Sequence, residues 1–207
     1  YVLCTEDGSF GDYISWRDNS GDITSSEIKA IDFNVMGTSL KSNLPLAKLA
    51  FQNLKGEFFT LGSYIAWLLT KNNATHITDA CASGFFISDT GESNCYAGDL
   101  KTPKAYKQVT AIGTYNGISV YTPVGDHQAS FYGSEAKYDK YLLNIGTATQ
   151  ISCLYDTSFP YGKYERRPFF DGNTLYTLSG LVGGDKLFEC ADYEKFFEQV
   201  ESAIKLL

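Results

Sequence analysis

The sequence lacks most of the short patterns that identify common enzyme classes. It has no G-x-x-x-x-G-K-[ST] loop, no G-x-G-x-x-G turn and no G-x-S-x-G segment. A P-loop, a Rossmann dinucleotide site and a hydrolase nucleophile elbow are therefore not expected. Only 2 histidines occur among the 207 residues, which is too few for most metal sites. Function has to be inferred from weaker local signals.

Cysteine is also scarce. The cysteines are odd in number, widely spaced and free of any C-x-x-C pair, and they stand at positions 4, 81, 95, 153 and 190. This pattern argues against structural zinc and against a disulfide framework, so a reducing, cytoplasmic location is expected. No apolar run approaches the length of a bilayer span, and no signal peptide opens the sequence, so we expect no membrane segment.

Basic residues are fewer than acidic residues. The chain carries 17 basic and 24 acidic residues, which gives a net charge of −7. Nucleic acids and anionic membranes select basic surfaces, so neither is an expected partner. Apolar residues make up 43% of the sequence, including 15 Tyr and 14 Phe. This composition predicts a globular protein of one or two domains with ample core.

Helix signals are found mainly in the first half. Thr24–Glu27 fits a capping box for a helix that is predicted to run up to Gly37. Pro45 can open a second helix and Thr60 can cap a third. The third helix is predicted to present a wide apolar stripe, formed by Leu61, Tyr64, Ile65, Leu68 and Leu69. A last amphipathic helix is predicted from Asp192 onwards.

Strand signals are concentrated in the second half. Asn116-Gly117 predicts a tight hairpin turn between two of these strands. The polar, glycine-containing segment 88–102 is a candidate boundary between two domains. The predicted strands are residues 111–114, 118–121, 141–144, 150–155 and 174–178.

One carboxylate stands out at the end of a predicted strand. Ile118–Tyr121 is a β-branched and aromatic run, followed by Pro123 and then by Gly125-Asp126. A carboxylate at the end of a buried strand would be held rigidly towards a cleft, where it could act as a general base. Alternatively, Asp126 is a turn aspartate that caps a short helix predicted over Ala129–Glu135.

A second signal follows in the next predicted hairpin. The apolar run Tyr141–Ile145 leads into Gly146-Thr147. Such a turn offers free backbone N–H groups and a hydroxyl, which are groups that phosphate oxygens accept hydrogen bonds from. The alternative is an ordinary hairpin turn with no ligand.

Several segments together resemble a known family. The segment from Gly125 to Ser130, GDHQAS, resembles the GDxQA segment of the FGGY carbohydrate kinases, which phosphorylate sugars and polyols with ATP. Trp16-Arg17-Asp18 is similar to the W-x-D segment of that family. Thr78-Asp79 with Ala82-Ser83 is similar to its TDxxAS turn, and these pieces occur in the family's order.

Two further segments extend the resemblance. The run from Phe59 to Thr70 is similar to the family's fTLxDYLxWxLTG helix. The run from Tyr141 to Thr147 matches the strand and phosphate turn of its second domain. Leu-Asn-Ile-Gly-Thr, followed by Gln150 and later by Gly183-Gly184, resembles the sedoheptulose-kinase-like branch.

The resemblance implies a fold and a domain organisation. It implies an α/β protein with two partial ribonuclease-H-like domains, of the actin-like ATPase superfold, facing a cleft. Residues 1–101 would be part of the N-terminal sugar-binding domain. Residues 102–207 would be part of the C-terminal nucleotide-binding domain.

The resemblance also implies an activity with ATP and Mg²⁺ as cofactors. Asp126 would be the catalytic base, and the nucleotide would contact Gly146, Thr147, Gly183 and Gly184. A sugar or polyol would contact Asp126 together with Asp18 and His127. A homodimer is a further option.

Each of these roles has a structural alternative. Asp18 could lie at the surface, His127 could be a partly buried structural residue, and Gly183-Gly184 could begin a helix. Trp16 and Trp67 are predicted to be core residues rather than sugar-stacking platforms.

The chain also departs from the family pattern. The upstream Asp-x-Gly-Thr turn and the late Gly-rich adenosine motif do not occur, and Ser20 stands where an arginine is usual. These departures leave two other functions open. One is a non-catalytic sugar-binding protein with a degenerate kinase fold, and the other is a hydrolase that uses Asp126 with His127.

Overall fold

The computed structural model describes residues 1–33, 35–134, 140–146, 149–155 and 164–181, together with residues 194, 198, 201, 202 and 205. The predicted helix from Asp192 lies mostly outside these residues. Within the described part, no helix is long and apolar enough to cross a bilayer. The helices are α1 (Ser26–Lys29), α2 (Pro45–Leu49), α3 (Leu61–Thr70), α4 (Ile77–Ala80) and α5 (Asp126–Gly133). The strands are β1 (Val2–Cys4), β2 (Gly56–Phe59), β3 (Ala74–His76), β4 (Leu100–Lys101), β5 (Lys104–Tyr106), β6 (Ala111–Tyr115), β7 (Ile118–Tyr121), β8 (Tyr141–Ile145), β9 (Thr149–Leu154), β10 (Glu165–Pro168) and β11 (Thr174–Leu181).

The N-terminal part is built on a three-stranded sheet in the order β1-β2-β4. Strand β2 is central and carries Phe58 and Phe59, both fully buried. Because successive side chains point to opposite faces of a strand, the two rings enter different clusters. Phe58 contacts Tyr1 and Phe85 in the main core. Phe59 packs beneath α3 with Trp67.

Helix α3 begins where its cap predicts, but it does not bury the face that was predicted. The Thr60 hydroxyl accepts from the Ser63 backbone N–H at 3.0 Å, which confirms the predicted N-cap. The predicted apolar stripe is wrong for three of its members, since Leu61, Ile65 and Leu68 are 47–51% exposed. Small residues line the buried face instead, because α3 lies close against β3 and β6.

Helix α1 is shorter than predicted. It ends at Lys29 rather than near Gly37, and its N-cap is Ser25, whose hydroxyl accepts from the Ile28 backbone N–H. A capping signal places a helix start within a residue or so, but it carries no information about length.

The hairpin β6–β7 turns at Asn116-Gly117, as predicted. Both turn residues have positive φ, 50° and 79°, which is the geometry that Asn-Gly favours. The expectation that β7 is a buried strand is wrong, because Ile118 is 71% exposed and Tyr121 is 55% exposed. The reason is topological: β6 and β7 form a two-stranded sheet of their own against α3.

One strand pair crosses the predicted domain boundary. Strands β3 and β5 are parallel, with Thr75 opposite Ala105. Residues on both sides of position 101 therefore share a sheet, and the assignment of domains to residues 1–101 and 102–207 stays a prediction.

The C-terminal part is a four-stranded antiparallel sheet in the order β10-β11-β9-β8. Helix α5 packs on one face of this sheet. Its fully buried Phe131 meets Leu154, Phe169 and Leu175. This packing determines where the N-terminus of α5 lies relative to the sheet.

An ion cluster around the buried Glu165 carboxylate joins the N-terminal loop 38–41 to strand β10. The Glu165 carboxylate is 5% exposed and accepts from the Lys41 ammonium at 2.7 Å and from the Ser39 hydroxyl at 2.5 Å. Its other oxygen accepts from Arg167 Nε at 2.8 Å. Burial alone would raise the pKa of Glu165, but Arg167 and Lys41 outweigh it and lower the pKa to about 2.

We expect Glu165→Gln to destabilise the fold by roughly 3 kcal/mol at neutral pH, because two cations lose their shared anion. The folded pKa lies below the unfolded value of 4.5. The stabilisation is therefore present above pH 4.5 and is lost as the pH falls towards about 2. Urea unfolding of the wild type and of Glu165→Gln across this pH range measures the difference in unfolding free energy. Glu92→Gln, at an exposed position, is the control. A pH-independent difference would contradict the expectation.

Candidate functional site

Asp126 is the first residue of α5 and is exposed. Its Oδ1 accepts a hydrogen bond from the His127 backbone N–H at 2.7 Å. A carboxylate in the first turn is stabilised by the free N–H groups of the helix. The position therefore fits a helix-start aspartate, and it also leaves the carboxylate accessible to a ligand. Helix α5 begins three residues earlier than predicted.

Gly125 and Gln128 explain part of the GDxQA pattern structurally. A Cβ on Gly125 would lie 2.6 Å from Gln128 Oε1 and 2.8 Å from the Thr78 carbonyl oxygen. Gln128 is buried, and its Nε2 donates to the Pro168 carbonyl at 3.2 Å. The glycine thus allows close contact with α4, and the glutamine ties α5 to β10.

His127 points into the protein. Its ring is buried, and Nε2 lies 2.8 Å from the Ser152 hydroxyl, which in turn lies 3.0 Å from the Thr177 hydroxyl. Burial and the nearby Arg167 lower the pKa of His127 to about 4, so the ring is neutral at pH 7. The hydrogen bond to Ser152 connects α5 to the sheet, and a contact between His127 and a sugar stays a prediction.

A second carboxylate, Asp79, lies within electrostatic range of Asp126. Its Oδ2 accepts hydrogen bonds of 2.6 Å from both Thr60 and Thr75. Burial raises the pKa of Asp79, and the negative charge of Asp126 acts in the same direction, while the two threonines oppose it. No role was predicted for Asp79 from the sequence, although Thr78-Asp79 belongs to a segment similar to the family's TDxxAS turn.

Asp18 belongs to a different neighbourhood. Its Oδ1 accepts from the Ser20 backbone N–H at 2.8 Å and lies 3.6 Å from the buried Lys48 ammonium. Trp16 nearby is 56% exposed, so the prediction that it is a core residue is wrong. Among the described contacts, nothing links Asp18 directly to Asp126.

The predicted nucleotide residues are described only in part. Gly146 is exposed and directly follows β8. Thr147, Gly183 and Gly184 lie outside the described residues. The structure thus places Asp126 within electrostatic range of Asp79, and the nucleotide contacts of Gly146, Thr147, Gly183 and Gly184 stay a prediction.

Two cavities lie elsewhere on the described surface. One, of about 320 Å³, is lined by residues of both halves, including Ile77, Lys107 and Phe169. The other, of about 500 Å³, lies beside Lys48 and Ser20. Neither is lined by Asp126. No cluster of three or more metal-ligating side chains occurs among the described residues.

Comparison with known proteins gives a result for structure only. No family model and no curated protein sequence matches the chain. Xylulose kinase from Lactobacillus acidophilus is similar at a TM-score of 0.75 and 18% identity, covering 92% of this chain and 46% of that one. Gluconate kinase from the same organism has a TM-score of 0.71 and 18% identity, covering 85% and 43%. Plasmodium falciparum glycerol kinase, solved with ADP, has a TM-score of 0.53 and 14% identity, covering 66% and 31%.

At these identities the likeness establishes the fold alone. The chain has a mixed α/β fold that corresponds to about half of a sugar kinase of the FGGY type. It spans less than half the length of the two bacterial kinases. The family resemblance is therefore confirmed at the level of the fold, while the branch of the family stays a prediction.

We expect Gly125→Ala to disturb the start of α5. The new Cβ would require movement of the Thr78 backbone or of Gln128, because neither gap accommodates a methyl group. A loss of roughly 1–3 kcal/mol in unfolding free energy is expected from this overpacking. Thermal or urea unfolding measures it. Gly133→Ala, at the other end of α5, is the matched control and should be neutral or stabilising, because no atom of the described residues lies within 4 Å of its Cβ position.

Proposed function

We propose that the protein is an ATP-dependent carbohydrate kinase, which transfers the γ-phosphate of ATP to a hydroxyl of a sugar or polyol. The observation that carries the proposal is the similarity of fold to xylulose and gluconate kinases, combined with an exposed carboxylate, Asp126, at the start of α5. The GDxQA-like segment that supplies Asp126 is one of the segments by which the sequence resembles the FGGY kinases.

Asp126 is proposed as the general base. Its carboxylate would accept the proton of the sugar hydroxyl while the hydroxyl oxygen forms a bond to the γ-phosphorus. The bond from that phosphorus to the bridging oxygen breaks, and ADP leaves. In phosphoryl transfer a protein mostly orients the groups and stabilises charge. General-base assistance of this kind contributes roughly 10²- to 10⁴-fold.

The nucleotide would be held by Gly146 and Thr147, with Gly183 and Gly184 as a second contact. Gly146 fits this role in one respect, since it is exposed and has no side chain to block a phosphate. When bound, ATP would supply the phosphoryl group, and Mg²⁺ would neutralise part of the phosphate charge. Mg²⁺ in kinases commonly relies on phosphate oxygens and one or two carboxylates, so the lack of a larger ligand cluster among the described residues is compatible with this proposal.

The substrate is proposed to be a sugar or polyol. Asp126, Asp18 and His127 are its proposed contacts; His127 would act from its buried position and Asp18 from the segment beside Lys48. Xylulose and gluconate are the substrates named for the similar kinases, and the Leu-Asn-Ile-Gly-Thr segment favours the sedoheptulose-kinase-like branch. A cytoplasmic location, a homodimer and the lack of nucleic-acid and membrane partners are proposals from composition.

Asp126→Asn tests the proposal in protein expressed from its complete reading frame. The isosteric amide cannot accept the proton, so kcat should fall roughly 10²- to 10⁴-fold. A coupled ADP-release assay with a panel of pentoses, heptuloses, polyols and sugar acids measures this effect. Asp99→Asn, an exposed aspartate away from α5, is the control for loss of one negative charge.

The same assay, run beside measurements of sugar binding and of phosphate release, separates the other functions. Unchanged turnover in Asp126→Asn would remove Asp126 as the base. Sugar affinity without ADP release in the wild type would favour the non-catalytic binding protein. Phosphate release that needs no sugar would favour a hydrolase.

A further inference from the structure

The segment before Asp126 is held by the corner between β3 and α4. The Pro123 carbonyl accepts from the His76 backbone N–H at 2.9 Å. The Thr75 hydroxyl, which donates its proton to Asp79, lies 3.3 Å from the same carbonyl oxygen. The Gly125 backbone N–H donates to the Thr78 hydroxyl oxygen at 3.0 Å. These contacts join residues more than 40 positions apart in the chain.

The direction of the Thr78 hydroxyl follows from its neighbours. His76 Nε2 lies 3.0 Å from the Lys107 carbonyl oxygen, which can only accept, so Nε2 carries the proton. His76 Nδ1 is then an acceptor, and it receives the Thr78 hydroxyl at 2.9 Å and the Thr78 backbone N–H at 3.3 Å. Burial lowers the pKa of His76, which supports a neutral ring. The Thr78 hydroxyl thus donates to His76 and is free to accept from Gly125.

The corner is itself held rigidly. Thr75 and Thr78 are almost completely buried. The Thr75 hydroxyl donates to the Asp79 carboxylate at 2.6 Å. The hydroxyl of Thr60, the N-cap of α3, donates to the same carboxylate at 2.6 Å. The start of α3, the end of β3 and the start of α5 are thereby joined by short polar contacts with little freedom to shift.

We propose that Thr78 is a positioning residue for Asp126, acting through the Gly125 backbone, with His76 orienting its hydroxyl. The proposal rests on the proposed kinase function for its kinetic consequence. The Gly125 N–H precedes Asp126 by one peptide unit, so loss of its acceptor allows the carboxylate to move relative to a bound sugar. A displacement of about 1 Å can cost 10²-fold in rate.

Two substitutions of Thr78 isolate the effect of its hydroxyl group. Thr78→Val keeps the shape and removes the acceptor, whereas Thr78→Ser keeps the acceptor and removes the methyl group. Thr122→Val is the matched control, because Thr122 is equally buried and its hydroxyl accepts from the Thr110 N–H rather than from Gly125. Circular dichroism and thermal melts establish that each variant is folded.

The first readout does not depend on activity. In Thr78→Val, hydrogen exchange at the Gly125 amide should accelerate about tenfold or more, because a typical hydrogen bond of this kind is lost. Thr78→Ser and Thr122→Val should leave this amide within about threefold of wild type. Unchanged exchange in Thr78→Val, or equal acceleration in Thr122→Val, overturns the proposal.

The second readout is kinetic. In Thr78→Val, kcat should fall roughly 10- to 100-fold while KM for the sugar changes little, and Thr78→Ser should recover most of kcat. A loss that Thr78→Ser does not recover overturns the positioning role. If the wild type phosphorylates no sugar, the kinase proposal fails, and the exchange experiment alone decides whether Thr78 holds the segment.

Discussion

The hydrogen bond from the Gly125 N–H to the Thr78 hydroxyl is the contact on which the candidate site depends. It places the start of α5 against the corner between β3 and α4. A larger residue than glycine would not allow this approach, because its Cβ would meet the Thr78 carbonyl. Both groups are buried, so each would lose free energy if left without a partner. Asp126 follows directly and takes its place from this contact.

A second constraint acts at the other side of α5. His127 bonds Ser152 on β9, and Gln128 bonds the carbonyl of Pro168 on β10. The ion cluster around the buried Glu165 then ties β10 to the N-terminal loop through Lys41. Helix α5 is thus attached to both the N-terminal corner and the C-terminal sheet. An exposed carboxylate on so well-anchored a helix start suits a role in which position matters more than charge alone.

Much of the local structure was predictable because it depends on neighbouring residues. The Thr60 cap and the Asn116-Gly117 turn act over two to four residues, and both were found as predicted. Which face of α3 is buried was not predictable. Its apolar stripe indicated one buried side, yet Leu61, Ile65 and Leu68 are half exposed, because the small residues of the helix lie against β3 and β6. Periodicity shows which residues share a face, and packing decides what covers that face.

The sequence by itself determined the positions of five strands of the second half, Asp126 as the candidate carboxylate, and a resemblance to sugar kinases that the fold supports. Only the tertiary structure showed that Asp79 lies near Asp126, that the His127 ring is directed towards the sheet, and that Thr78 accepts from Gly125. The physical reason is distance along the chain. Thr78 and Gly125 are 47 residues apart. Local sequence patterns do not predict which buried donor and acceptor form a hydrogen bond over such a separation.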